Sequence, residues 1–334
     1  MRMKSAISIL LCIALLVLTI PIQIVSAQTV SGEAGETSTW TLDLDTGVMT
    51  FSGTGRIDGN YKKDDANGTP AVAYKENVRH IIIEDGITII QERSFRVWES
   101  LTTVDMGNTV TAVLSYAFEY TPQLSAISVS DTLEYLSYGA FASTGLTHID
   151  LPASLEWIGP GAFANNRFSY VAIPENVTCI DRACFQPSDT LKAVIIKSKK
   201  LTVDAHDDAY SFTDVLPYFS DNVEDVVILS ADFNLEYTHN MTESTSTIHY
   251  APAGGAVEAY CLKYGFPFCD LNTKKLGDVD DSGDVNTVDT RLMLNNILGE
   301  IPTNSITRYL SDANSDGDVN TLDVRHMLSE LIKA

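Results

Sequence analysis

The stretch "LTHIDLPASLEWIGPGAF", Leu146 to Phe163, decides how this chain is read. Its apolar residues fall at Leu146, Ile149, Leu151, Leu155, Ile158, Ala162 and Phe163. The same offsets give Leu101, Val104, Met106, Val110, Val113, Ala117 and Phe118 in one direction along the chain. They also give Leu124, Ile127, Val129, Leu133, Leu136, Ala140 and Phe141. The closing phenylalanine stands at 95, 118, 141, 163 and 185, in steps of 23, 23, 22 and 22. A period of this size describes a coil made of a short strand and a turn, which cannot bury its apolar face alone. Such coils stack, share one core, and need a cap at each end.

An L-x-x-L-x-L start at this period predicts a leucine-rich repeat solenoid, mainly β, with short strands and turns. The segment "WTLDLDTGVMTFSGTG" from Trp40 alternates apolar and polar residues about a Thr-Gly turn, so a β-hairpin is expected to close the N-terminal end. The units "IIIEDGITIIQERSF", "IDLPASLEWIGPGAF" and "VAIPENVTCIDRACF" resemble those of BspA-type leucine-rich repeat proteins of bacterial surfaces. "AVEAYCLKYGFPF" is similar to that family's last coil, and Leu201 to His249 departs from the period, as irregular coils or an insertion would. The resemblance implies binding to proteins, cell surfaces or matrix, and no catalysis. Along each strand, residues between the buried ones point outward. Of those, His148, Asp150 and Tyr170 are the candidate ligand face, beside the plainer reading of a solvated sheet.

The chain has 334 residues, 45% of them hydrophobic, enough for one or two domains with real cores. Its net charge of -22 argues against nucleic acid, whose phosphates require Lys and Arg clusters. Residues 1–27 carry Arg2 and Lys4, an apolar run, and small residues at Ser26 and Ala27. That pattern predicts a cleaved secretory signal and an extracellular protein with no later membrane span. Beyond it stand Cys179, Cys184, Cys261 and Cys269. Cys261 and Cys269 are near enough in sequence to pair, and free thiols are the equal alternative. No two histidines have metal-ligand spacing. Cys179 and Cys184 occupy packing positions of the repeat, which makes a Cys and His nucleophile the weaker reading.

Near the C-terminal end an acidic segment is written twice, as "GDVDDSGDVNTVD" from Gly277 and "SDANSDGDVNTLD" from Ser311. Calcium loops of about twelve residues place oxygens at positions 1, 3, 5, 7, 9 and 12, with Gly at 6 for the turn. The first copy supplies Asp278, Asp280, Ser282, Asp284, Asn286 and Asp289 around Gly283. The second supplies Asp312, Asn314, Asp316, Asp318, Asn320 and Asp323 around Gly317. Neutral Ser282 makes the first site the weaker expectation. Each loop precedes a helical run, "TVDTRLML" or "TLDVRHML", but the first has no helix ahead of it as a paired EF-hand would. Loop then helix, twice, resembles a type I dockerin, a small all-α module.

That resemblance implies two calcium ions and a cohesin module of a scaffoldin, in a cellulosome, as the partner. It carries cohesin recognition onto Thr287, Val288, Arg291, Leu294 and Asn295, and onto Thr321, Leu322, Arg325, Leu328 and Ser329. Leu294 and Leu328 serve equally well as module core. The organisation expected is a signal peptide over 1–27, an N-terminal hairpin cap over 28–77, a solenoid over 78–270, a linker over 271–276 and a dockerin over 277–334. The function expected is a secreted, non-catalytic protein that docks to cohesin and binds a protein, cell surface or polysaccharide through its repeats. The alternatives are a dockerin-borne hydrolase of polysaccharide or peptide with an unrecognised site, and a solenoid that is only a spacer.

Overall fold

The computed structural model describes residues 28–59, 70–180, 184–185, 188–199, 223–230, 233, 247–298, 305–315 and 319–333. The expected signal peptide lies outside them. Short strands stack into three sheets. The first starts as an antiparallel meander of Thr29–Glu33, Ser38–Asp43 and Val48–Gly53, then continues in parallel through His80–Ile83, Thr103–Met106 and Ala126–Ser128. A second, parallel sheet runs through Gly55–Ile57, Ile87–Ile90, Ala112–Val113, Tyr135–Leu136, Trp157–Ile158 and Cys179–Ile180. A third takes up the row of the first with Tyr170–Ile173, Ala193–Ile196, Asp225–Ile228, Ile248–Ala251 and Phe268–Asp270. The coils of Val104, Ile127 and Val171 thus give a strand to one side and a shorter one to the other.

One continuous core runs from Ala34 to Cys261. Its spine is the repeating phenylalanine. Phe95 and Phe118 stack at 5.0 Å, Phe118 and Phe141 at 5.1 Å, Phe141 and Phe163 at 5.8 Å, and Phe163 and Phe185 at 5.3 Å. The expected hairpin continues the spine, because Phe51 meets Phe95 edge-on at 5.3 Å. Its Trp40 leans on Tyr74, in the short helix Pro70–Asn77, at 5.5 Å. The solenoid's other end is closed by the helix Ala256–Tyr264, which buries Val257, Tyr260 and Cys261. It stops at Gly265, whose left-handed φ of 77° lets its N–H reach the Cys261 carbonyl.

Two left-handed corners flank each of Phe95, Phe118, Phe141 and Phe163. They fall on Arg93 and Val97, Tyr116 and Tyr120, Gly139 and Ser143, and Gly161 and Asn165. Between them the phenylalanine N–H points along the solenoid, from Phe95 to the Ala117 carbonyl, Phe118 to Ala140 and Phe141 to Ala162, each at 2.8 Å. These bonds tie coil to coil at the corner, where no strand exists to do so. Glycine tolerates such a corner, whereas a β-branched residue there is strained.

Most of Leu201 to His249, expected to hold irregular coils or an insertion, lies outside the described residues, which here are 223–230, 233 and 247–249. Asp225–Ile228 pairs in parallel with Ala193–Ile196 on one side and Ile248–Ala251 on the other, so the ladder continues there. The step widens to the 32 residues between Lys192 and Glu224, which face each other across neighbouring coils. Longer turns can leave a sheet undisturbed because strand pairing fixes only the residues that share the ladder.

The last helices are Thr287–Ile297, Ser305–Ser311 and Thr321–Lys333. The first and third pack around Val279, Met293, Val324 and Met327. Among the described residues, no helix is long and apolar enough to cross a membrane.

Candidate functional site

The first acidic loop is shaped by its own carboxylates. Asp278 accepts from the Ser282 N–H at 2.9 Å and the Gly283 N–H at 2.8 Å, drawing the chain around itself. Asp289 accepts from Val279 at 2.8 Å and Asp280 at 3.2 Å with one oxygen, and from Asn286 at 2.8 Å with the other. Position 12 of the loop is therefore also the third residue of a helix. The Asn286 side chain completes a capping box by accepting from Val288 at 2.8 Å. Asp281 and Gly283 make the turn with φ of 56° and 94°. Aspartate visits that region more readily than most residues.

The result brings one oxygen from each of Asp278, Asp280 and Asp289 within 4.8 Å of one another. Asp278 and Asp289 are buried, while hydrogen bonds, chiefly from Ser282, hold the exposed Asp280 below the ordinary carboxylate value. Buried like charges are costly unless a cation or several donors answer them. A hard divalent cation held by oxygens suits this set, with Ser282, Asp284 and Asn286 on the same loop as the remaining expected ligands.

The second loop repeats the frame. Asp323 is buried and accepts from Asn320 at 2.8 Å and Asn314 at 3.2 Å. Asn320 caps the following helix through the Leu322 N–H at 2.8 Å. Ser315 carries the left-handed φ, 60°, at the place matching Asp281. Asp312 is half-buried; the expected ligands Asp316 and Asp318 lie outside the described residues.

Of the residues expected to meet cohesin, Thr287, Val288, Arg291 and Leu294 are exposed on the first helix and Asn295 is half-buried. On the last helix Thr321, Leu322, Arg325, Leu328 and Ser329 are all exposed. Leu294 at 39% and Leu328 at 42% face solvent, and Met293 and Met327, one position earlier, take the core.

The expected ligand face divides. His148 and Asp150 are exposed, and their side chains bond at 2.6 Å, which holds the Asp150 carboxyl below its usual value. Tyr170 points outward from the sheet as expected but is buried, because the Arg308 guanidinium lies 3.9 Å over its ring. Burial pushes its phenol up. The cause is the helix Ser305–Ser311, which rests on the third sheet. Sequence reasoning gave no role to Asp225, Ser305 or Arg308. Nothing in their spacing joins a strand residue to a helix 80 residues later.

The four cysteines carry no disulfide. Cys179 and Cys184 are buried where the repeat places packing residues, and burial pushes the Cys261 thiol up to about 11. An unreactive thiol of this kind is structural.

Residues 69–192 match the model of the BspA type leucine rich repeat region in six copies. Residues 276–331 match the type I dockerin domain. Among solved structures, a leucine-rich repeat protein from Eubacterium ventriosum ATCC 27560 is 18% identical, with a TM-score of 0.49, over 67% of this chain and 66% of that one. A leucine-rich repeat protein of T. pallidum is 17% identical, with a TM-score of 0.36, over 71% of this chain and 98% of its own. A leucine-rich cell surface protein from Faecalibacterium prausnitzii A2-165 is 14% identical, with a TM-score of 0.22, over 70% and 97%. Among curated proteins nothing matches.

Proposed function

Because this chain carries a BspA-type leucine-rich repeat region and a type I dockerin domain, we propose that it is a secreted, non-catalytic component of a cellulosome. Its dockerin, 277–334, would bind the cohesin module of a scaffoldin when two calcium ions fill the loops. The solenoid, 78–270, would then hold a protein at the scaffold. Neither module type is catalytic. The single observation that carries the docking half is the pairing, in both copies, of a buried loop carboxylate with an exposed first helical turn. Asp289 and Asp323 sit inside, while Val288 and Leu322 stand at 40% and 53% exposure one position before them. A cation that orders each cage thereby orders the first turn of each recognition helix. Thr287, Arg291 and Asn295, with Thr321, Arg325 and Ser329, complete the two surfaces.

For the solenoid's target, the favoured contact is the edge bearing Tyr116, Tyr120 and Tyr138. Tyr116 and Tyr120 hold left-handed φ of 60° and 57°, where the following coils use Gly139 and Ser143, then Gly161 and Asn165. Two large rings are kept at corners that cost about 1 kcal/mol or more for a residue with a side chain. Tyr120 and Tyr138 are about half exposed, and Arg93 and Arg96 lie over the rings of Tyr116 and Tyr120. Tyrosine and arginine are the residues that dominate protein interfaces. His148 and Asp150 remain open as further contacts; Tyr170 is taken.

The test is an affinity series of the full chain against a cohesin panel, with calcium and with a chelator, beside a hydrolysis screen on polysaccharides and peptides. Calcium-dependent capture by at least one cohesin and no hydrolysis is the expected result. Capture indifferent to the chelator would sink the docking half. Turnover in the screen would move the chain to the hydrolase reading.

A further inference from the structure

The contact between the inter-loop helix and the solenoid is made by specific polar groups as well as by apolar area. Asp225, 2% exposed, opens a strand of the third sheet. Its carboxylate accepts from the Ser305 N–H at 2.7 Å and the Ile306 N–H at 3.2 Å, donors that the first turn of a helix cannot satisfy by itself. The Ser305 hydroxyl donates to the Asp225 carbonyl and accepts from the Val194 N–H, both at 2.7 Å, so it bridges two neighbouring strands. Beside it, Ile306 and Leu310 share a buried cluster with Ala193, Ile195, Val227 and Leu271.

The same seven-residue helix touches both calcium loops. At its end, Ser311 precedes Asp312, the first ligand position of the second loop. The Leu310 carbonyl accepts from the Gly277 N–H at 2.8 Å, and Gly277 precedes Asp278, the first ligand position of the first loop. One short helix thus lies between the solenoid face and the opening residue of each cage. Lys274 adds a second strap, pairing with Asp281 of the first loop while lying 6.0 Å over the Tyr250 ring of the solenoid.

We infer that calcium loading of the loops and seating of Ser305–Leu310 on the solenoid are one coupled equilibrium, in which the solenoid tightens calcium retention and calcium locks the Tyr170 to Val227 face. The inference rests on the calcium reading above. Coupling of this kind is reciprocal, so whatever factor the solenoid adds to calcium affinity, calcium adds to the seating. A helix of seven residues is too short to persist in water unaided, which leaves the solenoid and the cages as its supports. Burial raises the Asp225 carboxyl above its ordinary value even with its donors in place, a sign of how completely the seated helix excludes water.

The experiment uses the full chain and two readouts: calcium affinity by titration calorimetry, and exchange of the Val194 amide with and without a chelator. In the wild type, chelation should release the Val194 amide while leaving the remote Val104 amide protected. Asp225→Ala should weaken the apparent calcium affinity about tenfold, equivalent to about 1.4 kcal/mol. Ile306→Asp breaks the seat from the other side and should do the same if Asp225→Ala disturbs its own strand. Equal calcium affinity in wild type and Ile306→Asp, or a Val194 amide indifferent to calcium, would overturn the coupling while leaving the metal reading intact. Absence of calcium binding in the wild type would overturn both.

Discussion

Phe118 and Phe141, one coil apart, lie 7° from parallel with ring centroids 5.1 Å apart. Both are fully buried, and each N–H is bonded to the following coil. Phe118→Ala should therefore remove a spine contact on both sides and cost about 3–5 kcal/mol, measured by urea unfolding. Phe118→Leu should cost less, because volume is largely kept. Since coils depend on neighbours, the loss is expected to split the unfolding transition rather than shift it whole.

Val97 offers the opposite sign. It is a β-branched residue at φ of 61°, at the corner where later coils carry Ser143 and Asn165. Val97→Asn should raise stability by about 1 kcal/mol, seen as a melting point a few degrees higher, because asparagine accepts the left-handed region. A lower melting point would mean that the partly buried Val97 side chain contributes more packing than the corner costs.

The two proposed recognition surfaces are near copies in sequence, so they should substitute for each other. Replacing Thr287 and Val288 together with alanine should weaken cohesin binding little, and adding the same change at Thr321 and Leu322 should abolish it. Titration calorimetry against one cohesin in calcium decides this. Loss of binding from the first pair alone would make the second loop a structural support only.

His249 gives a pH dependence. It is fully buried, with its ring 5.4 Å from Phe266, and burial pushes its imidazole below the ordinary value. The unfolded chain then binds a proton that the folded chain resists. Its contribution to stability is full above the unfolded value of about 6.5 and is lost as pH falls from there to the lower folded value. His249→Phe should flatten the thermal stability profile below about pH 6.5. An unchanged slope would assign the acid sensitivity to other groups.

The phenylalanine spine and the clustering of Asp278, Asp280 and Asp289 were legible because their signals are local: a repeat of 22 or 23 residues, and oxygens at fixed loop positions. The outward direction of Tyr170 was legible as well, from simple alternation along a strand. What covers it was not. Asp225 and Ser305 meet across 80 residues of chain, and neither looks unusual among its own neighbours. Leu294 and Leu328 were ambiguous because a helix pattern names an apolar face without saying how far it turns. Packing of Met293 and Met327 fixes that rotation.

The strained corners at Tyr116 and Tyr120 carry a consequence for the history of the repeats. A coil copied from a later neighbour would inherit the comfortable glycine of 139 or 161 at the first corner and Ser143 or Asn165 at the second. Keeping tyrosine in one coil therefore breaks the symmetry of the array at a single address, and a partner that reads those rings could find only one place along the solenoid to stand.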